Sequence, residues 1–222
     1  EKQDAPTNTT DADVAADDSA QQNNYTETEV QVGKEPYLLG GTLTLPQGAS
    51  AQNKVPGVVL VQGSGPSDRD ETIGQTKLFA DLAAMFAQKG IATLRYDKRT
   101  YQYGADMTAE QVQALTVEEE TIQDAISAGT LLKANECIDP QRVVLLGHSM
   151  GAMLAPRIVS ESDGVFTAMM LVSGSPKSLL DIMLAQNQAI LDTLEGDALA
   201  SAQTEVNAFA AQVDALKKAK TA

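Results

Sequence analysis

Gly147-His148-Ser149-Met150-Gly151 is the segment whose residue types and spacing could do chemistry. It follows the apolar run Val143-Val144-Leu145-Leu146, and a helix is expected just after Ser149. A Gly-x-Ser-x-Gly segment between a buried strand and a helix is the arrangement of a nucleophile elbow. The serine sits on a strained turn that small glycine neighbours permit. Its Oγ then stands above the C-terminal edge of the sheet, where the next helix N-terminus supplies positive potential. Ser149 is therefore the candidate nucleophile, and the Met150 N–H is placed to stabilise an oxyanion. A second segment, Gln62-Gly63-Ser64-Gly65-Pro66-Ser67-Asp68-Arg69-Asp70-Glu71, follows another buried run at the same sheet edge. A Gly-rich turn there can aim a backbone N–H into the same pocket. Ser64 N–H is the expected donor, with Gly65 the alternative. A Walker-type phosphate loop would need Gly-Lys-Ser/Thr, which this segment lacks.

These residues need a scaffold, and the hydrophobic pattern describes one. Val55-Pro56-Gly57-Val58-Val59-Leu60-Val61 is continuous and β-branched, as a strand buried on both faces requires. Ile91 to Tyr96, Val143 to Leu146 and Ala168 to Val172 share that character. Tyr37 to Leu45 instead alternates and stops at Pro46, which predicts a half-buried antiparallel strand at a sheet edge. Helical spacing lies between the runs. Phe79, Leu82 and Phe86 mark one helix, ended by Gly90. Thr116-Val117-Glu118-Glu119 is a capping box for another, which should bury Ile122, Ala125, Ile126 and Gly129. Alternating strand and helix imply a mostly parallel α/β sheet with right-handed crossovers. After Ser175-Pro176, an expected N-cap and first helical residue, the pattern is helical only. One helix runs to about Leu194. A second, capped by Asp197, carries Leu199, Ala202, Val206, Phe209, Val213 and Leu216 as a narrow seam, and Lys217, Lys218 and Lys220 close it.

Composition narrows the function. The 222 residues carry 16 Lys+Arg against 30 Asp+Glu, a net charge of -14, with 43% apolar residues, one Cys and one His. Such a chain repels phosphate backbones and has no basic cluster, so nucleic acid is not an expected partner. One Cys excludes an intramolecular disulfide framework and Cys-based zinc sites, and no cofactor or metal is expected. No apolar run approaches a membrane-spanning length. Eight of the acids and one base fall within residues 1–29, so half of the net charge of -14 sits there. That stretch is expected to be a disordered acidic tail, followed by a core at 30–175 and a helical unit at 176–222. Its composition suits a spacer on an extracellular or cell-surface protein, with a cytoplasmic location the alternative.

Three blocks resemble the α/β-hydrolases, and more narrowly the bacterial serine esterases: Leu60 to Gly74, Leu94 to Thr100, and Gly147 to Pro156. The resemblance covers about residues 37–195. It implies hydrolysis of small acyl esters with Ser149 as nucleophile, and helices after Ser175 forming a cap over the pocket. It also implies that Arg69, Asp70, Tyr96, Asp97 and Arg99 line or brace the pocket loops. In this family the acid and histidine follow the cap. The chain ends in or near the cap, so the sheet is expected to be incomplete, with its last strands missing. Nor is His148 expected to act as the base. It precedes Ser149 on a sharp turn and points to the other side, where it should pack beside the sheet or bond a backbone carbonyl. Without a base a serine hydroxyl is a poor nucleophile, so weak or no turnover is expected of these residues alone. Two other readings stay open: a non-catalytic surface or binding protein on a hydrolase scaffold, and a serine peptidase.

Overall fold

The computed structural model describes residues 24–219. Its main sheet contains β1 (Tyr25–Lys34), β2 (Tyr37–Pro46), β3 (Val55–Val61), β6 (Ala92–Tyr96), β7 (Ile138–His148) and β8 (Ala168–Val172), in the order β1-β2-β6-β3-β7-β8. A small hairpin, β4 (Thr72–Ile73) and β5 (Thr76–Lys77), stands apart. The helices are α1 (Leu78–Gln88), α2 (Arg99–Gln102), α3 (Ala109–Ala114), α4 (Asp124–Ala134), α5 (Met150–Glu161), α6 (Leu179–Leu191) and α7 (Gly196–Lys218). A π-helical turn, Glu118–Gln123, leads into α4. Strands β6, β3, β7 and β8 run parallel, while β1 and β2 add an antiparallel end.

The continuous apolar runs sit where their pattern places them. Val55, Val59 and Val61 of β3 face one core with Ile122, Ala125, Ala128, Leu132, Ala155 and Ile158. Val58 and Leu60 face the opposite core with Phe79 of α1. Burying side chains of this size stabilises by about 1.5–3 kcal/mol each, and β3 does so on both faces. Phe79 is fully buried and Leu82 and Phe86 pack beside it, so α1 follows its spacing, with Gly90 at φ 75° just beyond its end. Half of the expected capping box forms: Thr116 N–H and Oγ1 donate to Glu119 Oε2 at 3.0 and 2.6 Å, but Thr116 Oγ1 accepts from Glu118 N–H at 3.1 Å and not from Glu119 N–H. The first turn that follows is widened into the π-helix, and Ile126 is only half-buried.

Four expectations are corrected. β2 is an inner strand covered by β1, buried along most of its length, and not an edge. Order starts before residue 30: Tyr25 to Glu29 pair with β2 as part of β1. Their acids are held from a distance, since Arg69 binds Glu29 at 2.6 Å and Arg95 binds Glu27 at 2.9 Å. Residues 1–23 of the acidic tail lie outside the described residues. The run at β8 is exposed on the sheet's open edge, with Leu171 at 53% and Val172 at 38% exposure. An apolar run gives a doubly buried strand only where neighbours cover it, and β8 pairs on one side alone, with β7. The N-cap of α6 is Ser178, which accepts from Asp181 N–H; Ser175 Oγ instead accepts from Lys177 N–H.

Two fold features yield predictions. Helix α5 begins in backbone contact with the end of β3: a Cβ on Gly151 would lie 2.7 Å from the Gln62 carbonyl oxygen and closer still to that of Val61. Both are backbone atoms, which cannot give way as the end of a flexible side chain can. Gly151→Ala is therefore expected to destabilise by ~3 kcal/mol, the upper end of overpacking costs, as read by urea unfolding. On the β1–β2–β6 surface, Arg95 donates to Glu27, Asp70 and the Thr44 hydroxyl, each at 2.9 Å. Burial opposes the Asp70 charge, but hydrogen bonds from Arg95 and Lys77 outweigh it and hold its carboxyl below the ordinary range. A depressed folded-state value contributes stability that is present above the usual carboxylate range and lost as pH falls through the depressed value. Arg95→Met should cost about 3 kcal/mol at neutral pH and flatten the acid side of the stability–pH curve. An acid limb unchanged from the parent protein would contradict this.

Candidate active site

Ser149 joins β7 to α5 at φ 51° and ψ -114°. A non-glycine residue in this region carries about 1–3 kcal/mol of strain, so the surroundings must hold it. They do so at three points. Ser149 N–H donates to Val172 O of β8 at 2.9 Å, and Ser149 O accepts the first α5 bond from Met153 N–H at 3.1 Å. On the strand side, a Cβ on Gly147 would run into the backbone of Gly151 and Ala152, which shows how tightly the turn closes. Met150, the first residue of α5, is buried, and first-turn N–H groups have no partner within a helix.

A cleft of about 630 Å³ opens at the serine. Ser64, Ser149, Ser173, Ser175 and Gln186 give it a polar side; Met153, Leu179, Ile182 and Met183 give it an apolar wall. Ser173, like Ser149, has a positive φ, 53°. The structure thus brings Ser64 to the same cleft as Ser149, with Met150 opening the helix behind it. The two turns meet closely: a Cβ on Gly63 would lie 3.1 Å from Ser149 Cβ and 3.5 Å from its Oγ. Helix α6 forms one wall, and α7 packs on α6.

Beneath the Gly63–Ser64 turn is a buried polar network. Glu71, 6% exposed, accepts from Gly63 N–H at 2.7 Å and contacts His148 Nδ1 at 2.9 Å, both through Oε1. Its Oε2 is buried without a partner. Lys98, 2% exposed, donates from Nζ to Gly63 O at 3.0 Å, with Glu120 Oε2 at 3.6 Å. Burial pulls the Lys98 ammonium below its ordinary value, against the Glu120 carboxylate, which favours the charged form. Gln62 donates to Tyr96 O, and Lys98 N–H to Ser67 O at 3.1 Å, so the turn is also tied to the end of β6. The partner of His148 Nδ1 is thus a carboxylate and not a backbone carbonyl. The bracing residues act on loops: Arg69 pairs with Asp97 at 2.7 Å, Arg99 binds Asp124 through two hydrogen bonds, and Tyr96 is buried.

Sequence reasoning missed Glu71 and Lys98 as site residues. Glu71 was visible only as the last member of the Asp68-Arg69-Asp70-Glu71 block, and Lys98 only beside Asp97 and Arg99. Among the described residues, no group of three or more His, Cys, Asp or Glu is placed to hold a metal ion, and no helix is long and apolar enough to cross a membrane.

Comparison with known proteins places the fold among relatives. The chain matches the PGAP1-like alpha/beta domain family over residues 54–213. It is 45% identical over 144 residues to esterase EstD of Thermotoga maritima, an alignment covering 64% of this chain and 32% of that protein. The chain thus spans about a third of the length of this curated relative. Among solved structures it is similar to a bacterial heroin esterase, with TM-score 0.53 and 18% identity over 74% of this chain and 49% of that one. It is also similar to a puromycin-hydrolysing peptidase of Mycobacterium tuberculosis, with TM-score 0.50 and 22% identity over 67% of this chain and 22% of that one. At such identities these two show the fold alone, a mostly parallel sheet with flanking helices of the α/β-hydrolase type. The family match runs from the start of β3 through the elbow and into α7, and the chain belongs to the PGAP1-like alpha/beta domain family.

Proposed function

We propose that the protein is a serine hydrolase of the carboxylesterase type. The observation that carries this reading is the strained Ser149, at φ 51°, sharing a cleft with the Ser64 turn. Identity of 45% to a protein named as an esterase supports it. In this reading Ser149 Oγ attacks the ester carbonyl carbon and gives up its proton to a base. The carbonyl oxygen takes up negative charge, which the Ser64 and Met150 N–H groups stabilise. Collapse expels the alcohol, which leaves with a proton, and water then cleaves the acyl–Ser149 ester. The apolar wall of Met153, Leu179, Ile182 and Met183 suits a small apolar acyl or alcohol group, with α6 and α7 serving as the cap. His148, the sole histidine of the 222 residues, is read as a partner of Glu71 and not as the base for Ser149, and on that reading these residues alone turn over slowly. The same observation favours a second reading, a non-catalytic binding protein on this scaffold. The acidic composition of residues 1–29 supports an extracellular or surface-anchored location.

The test is a fluorophosphonate probe with mass-spectrometric mapping, alongside hydrolysis of p-nitrophenyl acetate by the full chain. Labelling at Ser149 and hydrolysis abolished by Ser149→Ala are expected. A chain that neither labels nor hydrolyses would end the esterase reading and leave the binding protein. Faster turnover of peptide amides than of esters would assign a peptidase.

A further inference from the structure

Lys98 is a nearly fully buried cation that the proposed chemistry does not use directly. A lysine in such a position costs several kcal/mol of desolvation unless something specific compensates it. Its partners are Glu120 Oε2 at 3.6 Å, beyond hydrogen-bond distance, and Gly63 O at 3.0 Å. Glu71 and Asp124 also face the ammonium and favour its charge. The shortest side-chain contact of Lys98 is thus to a backbone carbonyl, in the turn that passes within 3.5 Å of Ser149 Oγ as measured from a Cβ built on Gly63.

That carbonyl shares a peptide plane with the Ser64 N–H. The only cis bond among the described residues is Glu35–Pro36, so the Gly63–Ser64 peptide is trans. In a trans peptide the C=O and N–H vectors are antiparallel. A grip that draws the Gly63 oxygen inward to buried Lys98 therefore turns the Ser64 N–H outward, toward the cleft that Ser64 lines with Ser149. The neighbouring peptide is held as well, because Glu71 Oε1 accepts the Gly63 N–H at 2.7 Å. Glycine at 63 leaves the turn otherwise free to rotate. A cation on the carbonyl oxygen also polarises the amide and strengthens its N–H as a donor.

We propose that Lys98 is the positioning residue of the oxyanion hole: by holding Gly63 O it sets the orientation of the Ser64 N–H. This rests on the esterase reading for its catalytic consequence, but not for its structural one. The π-helical turn that carries Glu120 beside Lys98, and α2 that follows Lys98 in the chain, become parts of the same device. Glu120 favours the charged form of the buried amine, and Thr100 donates to the other oxygen of that carboxylate.

The experiment uses Lys98→Met in the full chain, which keeps the length of the stem and removes the donor; Lys98→Gln is read the same way if the methionine variant does not fold. For p-nitrophenyl acetate, kcat is expected to fall about 100-fold, the lower end of the loss of one oxyanion donor, with KM within about 3-fold of the parent. A merely structural role would lower the amount of folded protein and leave the kcat of the remainder unchanged. In parallel, Gly63 ¹³C′ and Ser64 ¹⁵N resonances are compared between Ser149→Ala and the Ser149→Ala, Lys98→Met double variant. The Gly63 carbonyl carbon should move upfield as its hydrogen bond is lost, and the Ser64 amide should move with it. Unmoved resonances would overturn the proposal, and so would moved resonances with kcat unchanged in an active protein. If the parent chain shows no activity, the esterase reading fails, and the two resonances alone decide whether Lys98 sets this peptide.

Discussion

The site depends on one steric constraint: β7 must hand over to α5 within a single residue, Ser149, while α5 starts in contact with the end of β3. Room for that exists only because two positions carry no side chain. At Gly147 a Cβ would meet the backbone of Gly151, and at Gly151 it would meet the carbonyls of Val61 and Gln62. The strain at Ser149 follows from this crowding. It is held by backbone bonds to Val172 O and from Met153 N–H, and neither involves the serine hydroxyl. The hydroxyl therefore keeps its freedom while the residue that carries it is fixed.

The Gly63–Ser64 turn is fixed by different means. No strand or helix contains it, so it is held by side chains from separate parts of the chain: Glu71 beyond the turn, Lys98 after β6, and Gln62 at the end of β3. Buried polar groups are costly unless satisfied, and this network is only partly so, since Glu71 Oε2 has no partner. Functional sites tolerate such costs when the surrounding fold supplies stability. Here β3, with both of its faces buried beside the turn, supplies it. The arrangement separates two tasks that a single rigid element could not combine. Apolar packing fixes where the sheet edge lies, and charged hydrogen bonds fix how one peptide on that edge is rotated.

Much of this was legible in the sequence where the signal is local. The Gly-x-Ser-x-Gly spacing, the apolar runs of β3, β6 and β7, and the helix marked by Phe79, Leu82 and Phe86 each depend on residues a few positions apart. Features set by distant partners were not legible. Glu27 and Glu29 read as part of an acidic tail, because the arginines that order them lie 68 and 40 residues away. Lys98 was not singled out, because its acceptor is a carbonyl 35 residues earlier. His148 was expected to pack beside the sheet or bond a backbone carbonyl, and its partner Glu71 is 77 residues away. The apolar pattern of β8 gave the strand correctly and its burial wrongly, since composition reports what a strand is suited to face and not what faces it.

That last discrepancy bears on the chemistry. β8 is the least buried strand beside the site, with solvent-exposed Met169, Leu171 and Val172, and it is held in the sheet by β7 alone. Strands with one partner and little apolar cover open at lower free-energy cost than doubly flanked ones. Yet Val172 O accepts the Ser149 N–H, and the β8 register places Val172 opposite His148. The Ser149 backbone is thus bonded, on one side, to the last residue of β8. Ser173 and Ser175, which continue from β8 into the cleft wall, share that dependence. The two turns of the site are therefore unequal. The Ser64 turn rests on β3, in the middle of the sheet. Ser149 is anchored partly to β8, through the backbone bond to Val172 O.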